Sequence, residues 1–387
     1  MKTLEGLILA PRGWLQGLLT YSAGRILTVQ GDAVDEGAWR ETRRPIVVPG
    51  FIDLHVHGGG GADTMQAGNA IDTIARTHAR HGTTALLATT MTAPQGDIEN
   101  ALRALAPACA TRSEGAARVL GVHLEGPYIS PDRLGAQPAF AAPPSAEGVL
   151  ALAALAPIRV VTLAPELPGA LEATLALVAA GIRVQIGHSA ASYEQACAGL
   201  HAGASGFTHL FNAMSGLHQR APGAVGAALA HAVHAELIPD LLHVHPGAMR
   251  AALRAIPGLY CVTDATAAAA MPDGDYQLGR HVVTKCGAGV RLADGTLAGS
   301  TLTMDQALRN LVEGLGLGLR EASLHTATHA AQYLGLADRG VLRAGAWADM
   351  VVLDTQLRVQ RVFVEGDEID PADRTSGVDG HPFQAAT

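Results

Sequence analysis

The chain has 387 residues, 48% of them hydrophobic and 16% charged, with a mean hydropathy of +0.20, a composition that excludes disorder and is ample for a large core. No uninterrupted apolar stretch reaches the roughly 18 residues of a membrane span, and a net charge of −8 with pI near 6.1 lacks the basic footprint of a nucleic-acid binder. Neither a membrane nor a nucleic acid is therefore expected as partner. Glu5 and Arg12 interrupt the first apolar stretch and no leader pattern is evident, so the expected location is the cytoplasm.

Residues 1–48 carry short strand-like pieces (Leu7–Leu9, Leu18–Thr20, Arg25–Val29) separated by turn residues. From Ile46 onward, β-branched runs alternate with Ala/Leu-rich helical segments, the pattern of repeated βα units around a parallel sheet. Eight strands are predicted, at Pro49–His57, Thr83–Thr89, Val119–Leu124, Arg159–Leu163, Arg183–Gly187, Gly206–His209, Val233–Ile238 and Leu259–Thr263. Helical candidates between them include Asn69–His81, Leu171–Ala180, Tyr193–Ala202 and Pro246–Ile256. In the seventh strand His231, His234 and Glu236 spoil the periodicity. A hairpin at Gln277–Leu297, helices at Thr303–Leu315 and Arg320–Leu334, and strands at Asp349–Leu353 and Arg358–Glu365 follow, with a frayed tail from Asp370. The expected architecture is a (β/α)8 TIM barrel at 49–339 with a small discontinuous β-sandwich domain built from 1–48 and 340–387. The four cysteines, Cys109, Cys197, Cys261 and Cys286, form no C-x-x-C pair and read as buried free thiols.

Histidine is the compositional outlier, at 17 residues, and it is the commonest metal ligand. In Asp53-Leu-His55-Val-His57-Gly-Gly-Gly-Gly61 a strand turns two imidazoles onto one face and then ends in glycines that admit a ligand. By itself a His-x-His is weak evidence, and His243-Val-His245 is a second one. More telling is that Glu125, His188, His209 and Asp264 each close a predicted strand. In a (β/α)8 barrel the strand C-termini form one rim, so these residues converge with His55 and His57. Each has an ordinary structural reading: Glu125 paired with an arginine, His188 bonded to a loop carbonyl, Asp264 capping a helix. All of those readings would have to hold at once at neighbouring positions. Mixed imidazole and carboxylate ligands suit zinc, iron or a similar divalent ion, and one carboxylate can bridge two.

These motifs resemble the amidohydrolase superfamily and, within it, the N-acetylglucosamine-6-phosphate deacetylases. The resemblance rests on Pro49-Gly-Phe-Ile-Asp-Leu-His-Val-His57, His123-Leu-Glu-Gly-Pro-Tyr128, Thr162-Leu-Ala-Pro-Glu166, Gly187-His-Ser189, Thr208-His-Leu-Phe-Asn-Ala-Met214, Thr263-Asp-Ala265 and Gly299-Ser-Thr-Leu-Thr-Met304, in family order. It implies a main metal on Glu125, His188 and His209, and a second on His55 and His57 with Glu125 bridging and Asp264 nearby. One or two divalent ions per chain are thus expected, and the His pair favours two. Asp264 resembles the catalytic carboxylate, taking a proton from water and returning it to the departing amine, while the metal supplies hydroxide by lowering the pKa of water to roughly 7. Asn212, Ala213, Arg220 and His243 match positions that hold a sugar phosphate, and Leu302, Thr303 and Met304 match a further substrate-binding stretch. Gln137 stands where many family members carry a substrate-contacting histidine, which bears on glucosamine against galactosamine preference. The implied reaction is hydrolysis of the acetamide of N-acetyl-D-glucosamine 6-phosphate to D-glucosamine 6-phosphate and acetate by a homodimer. The galactosamine epimer is the nearest alternative. Glu125 in place of a bridging lysine, together with the Asn212–Arg220 loop, argues against a cyclic-amide or nucleobase substrate. Retention of all six rim residues argues against a non-catalytic binding protein.

Overall fold

The computed structural model describes residues 1–369; the predicted tail from Asp370, and with it the end of the 340–387 segment, lies outside the described residues. Six parallel strands lie side by side in chain order: Phe51–Val56, Thr83–Thr90, Arg118–Glu125, Ile158–Leu163, Arg183–Ile186 and Gly206–Phe207. Glu236–Leu237 and Tyr260–Cys261 pair in parallel as the seventh and eighth. The circle closes through backbone hydrogen bonds from Leu210 N to Glu236 O (2.9 Å) on one side, and from Asp264 N to His55 O and His57 N to Ala265 O (both 2.9 Å) on the other. The result is the (β/α)8 barrel expected.

Thr83–Thr90 is buried at every position, as a parallel strand covered on both faces must be. Helix Ala70–Arg80 buries Ile71, Ile74, Ala75, His78 and Ala79, a single stripe at helical spacing. Helix Tyr193–His201 starts at a reciprocal cap between Ser192 and Gln195, and helix Pro246–Ala255 starts with proline in its first turn. Three further helices, Gln95–Ala110, Ala146–Ala153 and Gly223–His231, are absent from the sequence-based list. The last reads Gly-Ala-Val-Gly-Ala-Ala-Leu-Ala-His with its first six residues buried, so it has no polar face to set a period.

The predicted seventh strand shrinks to Glu236–Leu237, because Glu236 is drawn into a polar interior. The expected hairpin is a four-stranded antiparallel meander, Gly274–Leu278, His281–Cys286, Gly289–Arg291 and Leu297–Ser300. The first of the later helices ends in a π-helical turn at Asn310–Gly314, and the second is interrupted by one at Leu324–Thr328. The cysteines are free, but only Cys261 is buried; Cys109 and Cys197 are half-buried and Cys286 is exposed on the meander.

Chain ends and barrel meet in a seven-stranded sheet ordered Asp367–Ile369, Val359–Val364, Met350–Leu353, Ile46–Pro49, Lys2–Ala10, Gly13–Ser22 and Arg25–Val34. Strand alternation divides its side chains between two cores. Leu7, Leu9, Ile46, Val48, Val351 and Leu353 join the barrel's core, whereas Leu4, Ile8, Val47, Met350, Val352 and Phe363 form a second one with Leu342 and Ala346. Bonds between Ile26 and the Gly345–Ala346 turn (2.9 Å each) fold the outer strand back over this second core, giving a small β-sandwich.

Candidate metal centre

The rim residues arrive at the ends of five strands, His55 and His57 together on the first, and the barrel brings the six into contact. Glu125 ends its strand almost fully buried, with its two oxygens facing different histidine pairs. Oε1 lies 3.1 Å from His188 Nε2 and 3.0 Å from His209 Nε2, which are themselves 3.1 Å apart. Oε2 lies 3.1 Å from His57 Nε2 and 3.5 Å from His55 Nε2, which are 3.2 Å apart. Asp264 Oδ1 stands 3.3 Å from His57 Nε2 and 3.4 Å from His55 Nε2. Two buried triads, His55–His57–Glu125 and His188–His209–Glu125, therefore share one carboxylate. Imidazole lone pairs at these separations repel unless a proton or a cation lies among them. Two nitrogens with an oxygen form a donor set for a divalent first-row ion, so these residues can hold a metal.

The chain accepts local strain to build this geometry. His188, His209 and Asp264 have φ of 47°, 29° and 50°, values that non-glycine residues avoid at roughly 1–3 kcal/mol each. Gly299 lies across from Asp264 with φ of 62°, and a Cβ there would meet the Asp264 carbonyl at 2.9 Å. Ser300 N also donates to Asp264 O at 2.8 Å, so the stretch Gly299–Met304 begins as a brace for Asp264.

Charges in the centre shape one another. Burial pushes the Glu125 carboxyl up, but His55, His188 and His209 outweigh it and hold it well below the usual range. Burial likewise opposes ionisation of Asp264, and His55 and His57 bring it below its ordinary value. Burial alone would keep His57 neutral, yet hydrogen bonds to Asp264 and Glu125 lift it to about 9.

Supporting groups fix the ligands in turn. His188 Nδ1 donates to the Arg133 carbonyl at 2.8 Å, the bland contact foreseen for this residue, and that bond turns Nε2 towards Glu125. Glu166 accepts Ser189 Oγ at 2.7 Å and Ala190 N at 2.6 Å, holding the turn after His188. Asp53 accepts Thr263 Oγ1 at 2.6 Å, tying the first strand to the eighth; burial pushes its carboxyl up to about 7. The His123 ring packs against His55 with centroids 4.6 Å apart. Glu236, noticed in the sequence only as a break in strand periodicity, is fully buried and lies 2.9 Å from His55 Nδ1. That break was the one available signal for it.

The substrate-binding candidates are placed less uniformly. Gln137 is buried, with Nε2 donating to Glu125 Oε2 at 2.6 Å and Oε1 accepting Thr92 N at 2.7 Å. Asn212 stands three residues after His209 and donates Nδ2 to its carbonyl at 3.1 Å, and Ala213 O accepts Ser189 N at 3.1 Å. His243 bonds Asp240 at 2.6 Å; burial disfavours its charge, but Asp240 and the nearby Asp264 raise its pKa overall. Leu302 and Thr303 are nearly buried, Thr303 Oγ1 donating to Asp305 at 2.6 Å, and Met304 is fully buried in the core. Arg220 is exposed on the loop after His209, where its backbone N–H meets His218 Nδ1 at 3.3 Å.

The amidohydrolase family's sequence profile matches residues 46–369, and the chain belongs to that family. Within it, the chain is 41% identical over 372 residues to N-acetylgalactosamine-6-phosphate deacetylase of Escherichia coli O157:H7, covering 93% of this chain and 96% of the relative. It is 40% identical over 327 residues to N-acetylglucosamine-6-phosphate deacetylase of Lysinibacillus sphaericus, covering 83% of this chain and 84% of the relative. Among solved structures, N-acetyl-D-glucosamine-6-phosphate deacetylase of Mycobacterium smegmatis superposes with a TM-score of 0.88 at 34% identity, over 96% of this chain and 100% of the other. A mutant of that enzyme was solved in complex with N-acetyl-D-glucosamine-6-phosphate.

Proposed function

We propose that this protein hydrolyses the acetamide of N-acetyl-D-glucosamine 6-phosphate to D-glucosamine 6-phosphate and acetate, in a metal-dependent reaction of amino-sugar catabolism. The observation that carries the reading is Glu125 dividing its two oxygens between two histidine pairs, with Asp264 beside one of them. Glu125, His188 and His209 would hold one divalent ion, zinc or iron by the chemistry of the donors, and His55, His57 and Glu125 a second. Such ions supply water activation at neutral pH and polarisation of the acetyl carbonyl.

Asp264 is the general base and then the general acid. It takes a proton as water's oxygen bonds to the acetyl carbon, and returns one to nitrogen as the C–N bond breaks. Asp264 suits this role by position, since it lies against the His pair and is braced by Gly299–Ser300. Asn212, Ala213, Arg220 and His243 are assigned to the sugar phosphate. The exposed Arg220 can offer a charge-assisted contact, and His243 is the more cationic for its acidic neighbours. Leu302, Thr303 and Met304 are assigned to the wall beside Asp264. Residues 49–339 are the catalytic barrel, and the sheet of both chain ends is its structural partner. No helix among the described residues is long and apolar enough to cross a membrane; we assign the enzyme to the cytoplasm as a homodimer acting on a small molecule.

The 41% identity to a galactosamine-6-phosphate deacetylase favours one second reading, the same chemistry on the epimer. Acetate release from the two 6-phosphates, measured side by side, tests both. Faster turnover of the glucosamine compound supports the first reading, preference for the epimer transfers the mechanism to the second, and no acetate from either refutes both.

A further inference from the structure

The carboxylate of Glu236 belongs to neither triad, yet it is completely buried on the short seventh strand and touches both. Its Oε2 lies 2.9 Å from His55 Nδ1 and also accepts the backbone N–H of His209 at 3.1 Å. Its Oε1 accepts the Tyr260 hydroxyl at 3.4 Å, and Gln185 Nε2 donates to that same hydroxyl at 2.6 Å. A carboxylate can only accept in these contacts, so His55 must carry a proton on Nδ1. The other face of the ring is then fixed: Nε2 is the atom turned towards His57, Glu125 and Asp264.

We propose that Glu236 is a positioning residue for the metal centre, holding His55 in the tautomer and orientation that present Nε2 to an ion while anchoring the backbone of His209 in the neighbouring triad. The inference rests on the metal reading given above, though not on the identity of the sugar. A buried carboxylate is costly to maintain in a barrel interior unless hydrogen bonds compensate it. Here the compensation comes from one side chain of the first triad, one main-chain group of the second and the Tyr260 hydroxyl. Outer carboxylates of this kind fix the ring and raise the basicity of a ligating imidazole, and their loss typically weakens metal binding by about 10–100-fold. The asymmetry between the two contacts gives the effect a direction. Loss of Glu236 removes the only side-chain hydrogen-bond partner of His55 Nδ1 among the described residues, whereas His209 loses one backbone contact and keeps its place after its strand.

The test is a Zn²⁺ titration of metal-depleted protein against a chromogenic chelator, with elemental analysis of the loaded samples, for wild type, Glu236→Leu and Glu236→Gln. Wild type should take up two ions. Glu236→Leu should hold the first as wild type does and bind the second about 10–100-fold more weakly. Glu236→Gln keeps an acceptor oxygen for His55 and should fall between; it also serves if the leucine variant does not fold, as judged by circular dichroism. Uptake of a single ion by wild type, or tight binding of both ions by the folded variants, overturns the proposal. Failure of the deacetylase reading would look different, with fully loaded protein releasing no acetate while the ion counts stand unchanged.

Discussion

The barrel rim and the terminal sheet both bury charge, but they neutralise it in different ways. At the sheet, Arg339 lies between Asp349 and Glu365, and Glu365 also receives Arg118 through Nε at 2.9 Å and Nη2 at 2.8 Å and Arg112 at 3.3 Å. Guanidinium does not give up its proton, so that cluster is a permanent weld between the last strands and the barrel. On the rim, Glu125, Asp264 and Glu236 face imidazoles, which can be cation, neutral donor or metal ligand. Charge of one kind serves stability, and charge of the other remains open to ions and proton transfer.

The sharpest way to separate the two regions is to remove the metal. Chelation should bring acetate release to background and re-addition should restore it, with the circular dichroism of the sheet-rich fold unchanged. Loss of structure on chelation would instead make the rim a structural site. Next in size, Asp264→Asn should lower turnover by about 10³-fold while metal content stays at the wild-type value; near-normal turnover would remove Asp264 from the chemistry.

Breaking the weld should have the opposite signature. Arg339→Met strands Asp349 and Glu365 without their shared cation, and should destabilise the protein by about 3 kcal/mol in urea unfolding, with activity per folded molecule unaltered. A comparable loss of activity would show that the two regions are coupled. A smaller effect follows from pH. Burial disfavours the Glu365 charge, but Arg118 and Arg339 outweigh it and lower its pKa from 4.5 to about 2. A depressed value means that its contribution is whole above pH 4.5 and is lost as pH falls towards 2. Wild type should therefore lose urea stability over that window more steeply than Glu365→Gln, and identical slopes would contradict the pairing. The smallest change expected is at Gln137, whose amide spans Thr92 and Glu125. Gln137→His should alter the ratio of the two epimers' kcat/KM by a few-fold, and an unchanged ratio would leave Gln137 to its bonds with Glu125 and Thr92 alone.

Much of the rim is legible in the sequence because its residues sit at strand ends, where a barrel's topology says they must meet. His55, His57, Glu125, His188, His209 and Asp264 are found in that way, and the motif resemblance gives them roles. Glu236 is not, because its partner His55 lies 181 residues away and a carboxylate in a strand reads as noise in the apolar pattern. Helix Ala70–Arg80 is legible from its apolar stripe, whereas Gly223–His231, buried along most of its length, offers no contrast between faces. The double use of Gln137 depends on a loop geometry that spacing alone does not specify.

The most direct test of the metal-dependent deacetylase assignment is to titrate metal-depleted protein with Zn²⁺ and follow acetate release from both 6-phosphates in the same samples. Release should rise from background in step with bound metal and level off when the centre is full. Equal release without metal, or none from either sugar at full occupancy, would contradict it.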